Sequence, residues 1–161
     1  MDTARSNHSG PAPKKLVIGI GNEFRSDDGV GLVLARRLKA DGFEGVEVRE
    51  AGGEATGLID IWKGAELAIV VDAVNSGNLP GTIFHFEVPG EPIQRALFSG
   101  HSTHALGLAE VIELSRTLDS LPKRLVIFGI EGANFKMGSS LSAPVESAAR
   151  DVLSRIIDEI R

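Results

Sequence analysis

Cysteine is absent from the 161-residue chain, and that single absence removes disulfides, zinc ribbons, iron-sulfur ligation and thiol nucleophiles together. A reducing, cytoplasmic setting is the simplest expectation. No stretch approaches the roughly 20 consecutive apolar residues that a membrane-spanning helix requires. The first fourteen residues, MDTARSNHSGPAPK, are polar and rich in Pro, Gly and Ser, without the apolar run of a secretory signal. They read as a mobile tail ahead of one domain over residues 15–161. Positive charge is also in short supply: the net charge is -5, which argues against a broad nucleic-acid footprint. Two catalytic signatures are missing as well. No Ser stands in a nucleophile-elbow context, with Ser99, Ser102 and Ser142 in ordinary loop settings, and no His-Glu-x-x-His helix marks an intrinsic zinc peptidase.

What is present is 42% hydrophobic content, enough for a complete core in one domain of this size. Leu16 to Ile20 is a short apolar run ended by glycine, the mark of a central strand covered on both faces. Val30, Leu32, Val33, Leu34 and Leu38 then recur at helical spacing, Asp28 or Ser26 is placed to cap that helix, and Arg36, Arg37 and Lys39 are placed in its last turn. Val46 to Arg49 alternates like an edge strand. Residues 54–63 carry Leu58, Ile59, Ile61 and Trp62 on a helical face.

Leu67 to Val71 is a second central strand ending at Asp72, and Thr82 to Val88 alternates again after a turn rich in Gly, Asn and Pro. That connection is too short for a helical crossover, so the fourth strand is expected to run against the others and to lie at an edge. A long loop over Pro89 to Ser102, a helix from Ala105 to Leu118, a strand from Leu125 to Ile130 and a closing helix from Pro144 to Ile160 complete the chain. The alternation predicts an α/β fold, a three-layer α/β/α sandwich.

Binding sites in such sheets gather outside the carboxyl ends of the strands. Asp28, Asp72 and His104 fall there, and two carboxylates with one imidazole make a partial sphere for a divalent ion of the nickel or zinc kind. Each has a plainer reading. Asp28 fits a helix cap, Asp72 fits a turn organiser, and His104 fits a capping or packing residue. Gly19 and Gly21 weakly match a dinucleotide fingerprint, but Glu23, Asp27 and Asp28 would set negative charge beside a pyrophosphate.

Five segments in order, GIGNEFRSDDGVG, GGEATGLIDIW, VVDAVNSG, STHALGLAEVIEL and FGIEGANFKMGSSLS, give the chain a further property. It resembles the hydrogenase maturation proteases, which remove a C-terminal extension from the large subunit of nickel-iron hydrogenases after nickel insertion. The resemblance implies a mixed, mostly parallel five-stranded sheet of the phosphorylase/hydrolase-like kind, with one strand antiparallel. It also implies a nickel-sensing site of two acids and a histidine, which carries over to Asp28, Asp72 and His104 as both the metal-contacting and the catalytic residues.

Asp27 is the alternative first acid, and His101 fits the histidine position less well than His104. Ala55 stands where the family often has Thr, and Gly132 where it often has Pro. Glu131 fits either a support behind the site or a solvated loop residue. The implied partner is a hydrogenase large-subunit precursor that supplies the nickel, with the enzyme acting as a monomer and other divalent ions able to occupy the same ligands in vitro. A metal-assisted hydrolase of another peptide or amide, and a non-enzymatic nickel or assembly chaperone, are the competing readings.

Overall fold

A computed structural model describes residues 15–52, 57–90 and 107–161. Strand β1 (Lys15–Ile20) leads through a 3-10 turn (Ser26–Gly29) into helix α1 (Val30–Asp41). Strand β2 (Val46–Ala51), helix α2 (Leu58–Trp62), strands β3 (Leu67–Val74) and β4 (Ile83–Val88), helix α3 (Leu108–Thr117), strand β5 (Arg124–Glu131) and helix α4 (Ala143–Ile160) follow. The sheet has five strands in the order β2-β1-β3-β5-β4. Pairings β1 with β2, β1 with β3 and β3 with β5 are parallel, and β4 pairs antiparallel with β5. The short β3 to β4 connection forces that reversal, and it leaves β4 at an edge as its alternating pattern requires.

Side-chain alternation along the strands divides the core in two. Ile18, Val70 and Ile127 point to one face, where Leu58 and Trp62 of α2 and Val111 and Ile112 of α3 cover them. Val17, Ile69, Val71 and Phe128 point to the other, against Leu34 and Leu38 of α1 and Val152 and Ile156 of α4. Central strands buried on both sides explain why β1, β3 and β5 are apolar throughout rather than alternating. The three-layer α/β sandwich with a mixed five-stranded sheet is therefore the observed architecture.

Three local expectations need correction. Strand β3 does not stop before Asp72: it continues to Val74, because Asp72, Ala73 and Val74 pair with Gly129, Ile130 and Glu131 of β5. The apolar run ends earlier than the ladder, and only the ladder defines the strand. No side-chain hydrogen bond caps α1, whose N-cap position is Gly29. Arg36 and Arg37 lie in the body of α1, where Arg36 pairs with Glu23 and Glu50 and Arg37 with Glu146; only Lys39 is in the last turn. The N-terminal tail, the start of the residue 54–63 helix, residues 91–102 of the long loop and the start of the helix expected from Ala105 lie outside the described residues.

Two glycines set how closely α1 approaches the sheet. A Cβ on Gly31 would stand 2.4 Å from the Ile20 carbonyl oxygen and 2.5 Å from that of Val71, and one on Gly19 would stand 2.0 Å from the Gly31 oxygen. The helix start is thus pressed onto β1 and β3. Of the glycines read as a weak dinucleotide fingerprint, Gly19 is accounted for by this backbone contact and Gly21 by another, since a Cβ there would stand 2.1 Å from the Asp28 carbonyl oxygen.

Candidate active site

The close approach of α1 puts the Ser26–Gly29 turn against β3, at the carboxyl ends of the two central strands. Asp28 is half-buried in that turn, and Asp72 is half-buried near the end of β3. Counting by twos from Val70 and toward Val74, Asp72 projects on the face covered by α2 and α3. Its carboxyl is pushed up from 3.8 to about 7, first by burial and then by the negative charge of Asp28, with a hydrogen bond from the Ala73 amide opposing both. Two acids separated in the chain are therefore electrostatic neighbours in the fold. A pair of anions held this way is costly, and a divalent cation between them relieves both the burial and the repulsion.

Asp27, the alternative first acid, has a different fate. It is fully buried, and its carboxylate already accepts four hydrogen bonds. Oδ1 takes the Ser142 amide at 2.7 Å; Oδ2 takes the Ala133 amide at 2.8 Å, the Asn134 amide at 2.9 Å and the Ser142 hydroxyl at 2.9 Å. Burial raises its pKa, but these bonds outweigh it and hold the carboxyl below its ordinary value. Its carboxylate is thus engaged by protein donors from a single connection of the chain. Of the two acids, Asp28 is the one whose charge acts on Asp72.

Glu131 is not a solvated loop residue. Only 1% of it is exposed, and its Oε1 accepts the amides of Ser76 and Asn78 at 2.9 and 3.0 Å while Oε2 accepts the Ser76 hydroxyl at 2.9 Å. It fixes the turn that follows Asp72 from behind. Of the two readings the sequence offered for Glu131, support behind the site is the one its hydrogen bonds agree with, its place at the end of an apolar strand being the signal; the anchoring of Asp27 was not visible there, since it depends on which loop faces its carboxylate.

Gly132, a departure from the family pattern, is compensated locally. A Cβ there would fall 2.5 Å from the Phe135 ring and 3.1 Å from the Asp27 Cβ, so the ring of Phe135 occupies the space a side chain would need. His104, His101, Ser99, Ser102 and Ala55 lie outside the described residues. His104 stands four positions before Leu108, the first residue of α3. His85, the histidine among the described residues, packs against Phe128 with ring centroids 5.0 Å apart, on the α1 and α4 side of the sheet. Among the described residues no group of three His, Cys, Asp or Glu side chains is arranged to hold a metal, and no helix is long and apolar enough to cross a membrane.

The chain is similar to known proteins over most of its length. The hydrogenase maturation protease family matches residues 32–159, a span that contains Asp72, His104 and Glu131 and begins just after Asp28. Protein FrxA of Pyrococcus furiosus is 33% identical over 138 residues, covering 84% of this chain and 96% of that protein. The hydrogenase 2 maturation protease of Escherichia coli is 27% identical over 150 residues, covering 91% and 90%. Among solved structures, the hydrogenase maturating endopeptidase HybD from E. coli superposes with a TM-score of 0.80 at 25% identity, covering 92% of each chain. By its sheet, its acidic turn and these matches, the chain belongs to the hydrogenase maturation protease family and is an endopeptidase of hydrogenase maturation.

Proposed function

We propose that this endopeptidase removes the C-terminal extension of a nickel-iron hydrogenase large-subunit precursor once nickel is in place, and that Asp28, Asp72 and His104 contact that nickel. The ion belongs to the substrate. The observation that carries the reading is the pairing of Asp28 with Asp72, whose mutual repulsion in a partly buried place favours a cation brought from outside.

Selectivity follows from the same charge arrangement. With no cation, the raised carboxyl of Asp72 resists sharing the pocket with Asp28 as a second anion. A precursor already carrying nickel supplies the positive charge that lets both ionise, and an empty precursor does not. Cleavage then waits on metal loading. The nickel of the precursor polarises the scissile carbonyl and acidifies a water, and a carboxylate of the pair accepts the proton. Behind them, Glu131 holds the turn after Asp72 in place.

The experiment is a digest of nickel-loaded and nickel-free precursor by the wild type and by Asp28→Ala, Asp72→Ala and His104→Ala. Cleavage of the loaded form only, with a loss of about 100-fold or more in each folded variant, is the expected result, since a group acting at the reacting centre contributes on that order. Undiminished cleavage by the variants, or equal cleavage of both precursors by the wild type, refutes the proposal.

A further inference from the structure

The cleavage proposal leaves Asp27 without a part, although a fully buried anion is an expensive thing to keep. A turn that needed only a local anchor would be served by a neutral side chain with one or two acceptors. Here four donors converge on one carboxylate, and three of them are backbone amides of Ala133, Asn134 and Ser142. All lie in the connection between β5 and α4. The Asp27 amide returns a bond to the Asn134 carbonyl at 3.0 Å, and the Ser26 amide reaches the Gly138 carbonyl at 2.8 Å. The Ser26 hydroxyl donates to the Lys136 carbonyl at 2.8 Å.

These bonds hold Ser26 at a φ of +53°, in the left-handed region that a serine rarely occupies. Asp27 and Asp28 follow as consecutive residues of the 3-10 turn, about 120° apart around its axis, so the two acids face different ways. Asp27 turns into the β5 to α4 connection, and Asp28 is the one whose charge acts on Asp72. From the other side, Gly31 sits hard against the carbonyls of Ile20 and Val71. Asp28 lies between these two anchorages, directly after Asp27 and three residues before Gly31.

We infer that Asp27 is a positioning residue for the cleavage reaction: its carboxylate clamps the acidic turn to the β5 to α4 connection and thereby sets Asp28 opposite Asp72, without itself touching substrate. The inference rests on the reading of Asp28 and Asp72 as the groups that meet the precursor's nickel. A displacement of the order of 1 Å in a group at the reacting centre is enough to cost about 100-fold in rate. A clamp of this kind is therefore read in turnover, not in substrate affinity.

The test is steady-state cleavage of nickel-loaded large-subunit precursor by Asp27→Asn and Ser142→Ala, beside Asp28→Ala and Asp72→Ala, with circular dichroism checking that each is folded. Asp27→Asn keeps the shape but turns an amide toward one of the four donors. It is expected to lower kcat about 30-fold with KM within about threefold of wild type. Ser142→Ala removes one donor, preserves the rest, and is expected to lower kcat about fivefold in the same manner. The milder variant carries the test if Asp27→Asn does not fold. Wild-type kcat per folded molecule in Ser142→Ala, or a change confined to KM in either variant, overturns the clamp. Normal cleavage by Asp28→Ala and Asp72→Ala defeats the underlying pocket instead, so the two failures are distinguishable.

Discussion

Replacing Asp72 by Asn should make the protein more stable and less active at once, because the carboxylate is kept for function at the expense of the fold. The folded-state pKa is about 7 and the ordinary value is 3.8. Between those values the unfolded chain has already released the Asp72 proton while the folded chain still holds it. Stability therefore falls as pH rises through the window, opposite to the behaviour of a carboxylate in a favourable site. Each pKa unit corresponds to about 1.4 kcal/mol, so the full displacement costs about 4 kcal/mol above the window and about 2 kcal/mol at pH 5. Asp72→Asn abolishes that titration. Its stability relative to wild type should grow by about 2 to 3 kcal/mol between pH 5 and pH 8. The assay is urea unfolding at several pH values, followed by the fluorescence of Trp62, the single tryptophan and a fully buried one. Parallel stability profiles for variant and wild type would show that the carboxyl is not strained by burial and by Asp28, and the electrostatic basis of the cation-seeking pocket would fall with it.

Asp27 should contribute in the opposite sense: its depressed folded-state pKa gives stability above about pH 4 that is lost on further acidification, so Asp27→Asn should flatten the acid limb of a thermal-melt series, and an unchanged limb counts against the four-bond account. Glu131→Ala takes the acceptor from the amides of Ser76 and Asn78, which stand in an exposed turn, and should cost about 1 to 3 kcal/mol in urea unfolding, while Glu131→Gln, which keeps an acceptor there, should cost about 1 kcal/mol or less. Gly31→Ala drives a methyl into the carbonyls of Ile20 and Val71 and should lose about 2 to 3 kcal/mol despite the better helix propensity of alanine; a neutral or stabilising result by thermal melt would mean that α1 does not sit so close to the sheet.

Much of the architecture was fixed by local pattern. Continuous apolar runs at Leu16 to Ile20 and Leu67 to Val71 identified central strands, since only a strand covered on both faces needs apolar residues at both parities. The short link before Thr82 set the direction and edge position of β4. The pattern also placed Asp28 and Asp72 at strand ends and, through the ordered motifs, pointed to the protease family.

What the sequence left open was the difference between two neighbouring acids. Asp27 and Asp28 are chemically equal in the chain, and nothing local says which faces inward. That was decided by the arrival, more than a hundred residues later, of the amides of Ala133, Asn134 and Ser142 on one carboxylate and not on the other. The same holds for Glu131, whose burial depends on the turn at Ser76 and Asn78 folding over it, and for the true end of β3, set by its ladder with β5. Periodicity reports the environment of a segment averaged over a few residues. The fate of a single carboxylate depends on long-range donors, and those exist only once the chain has folded.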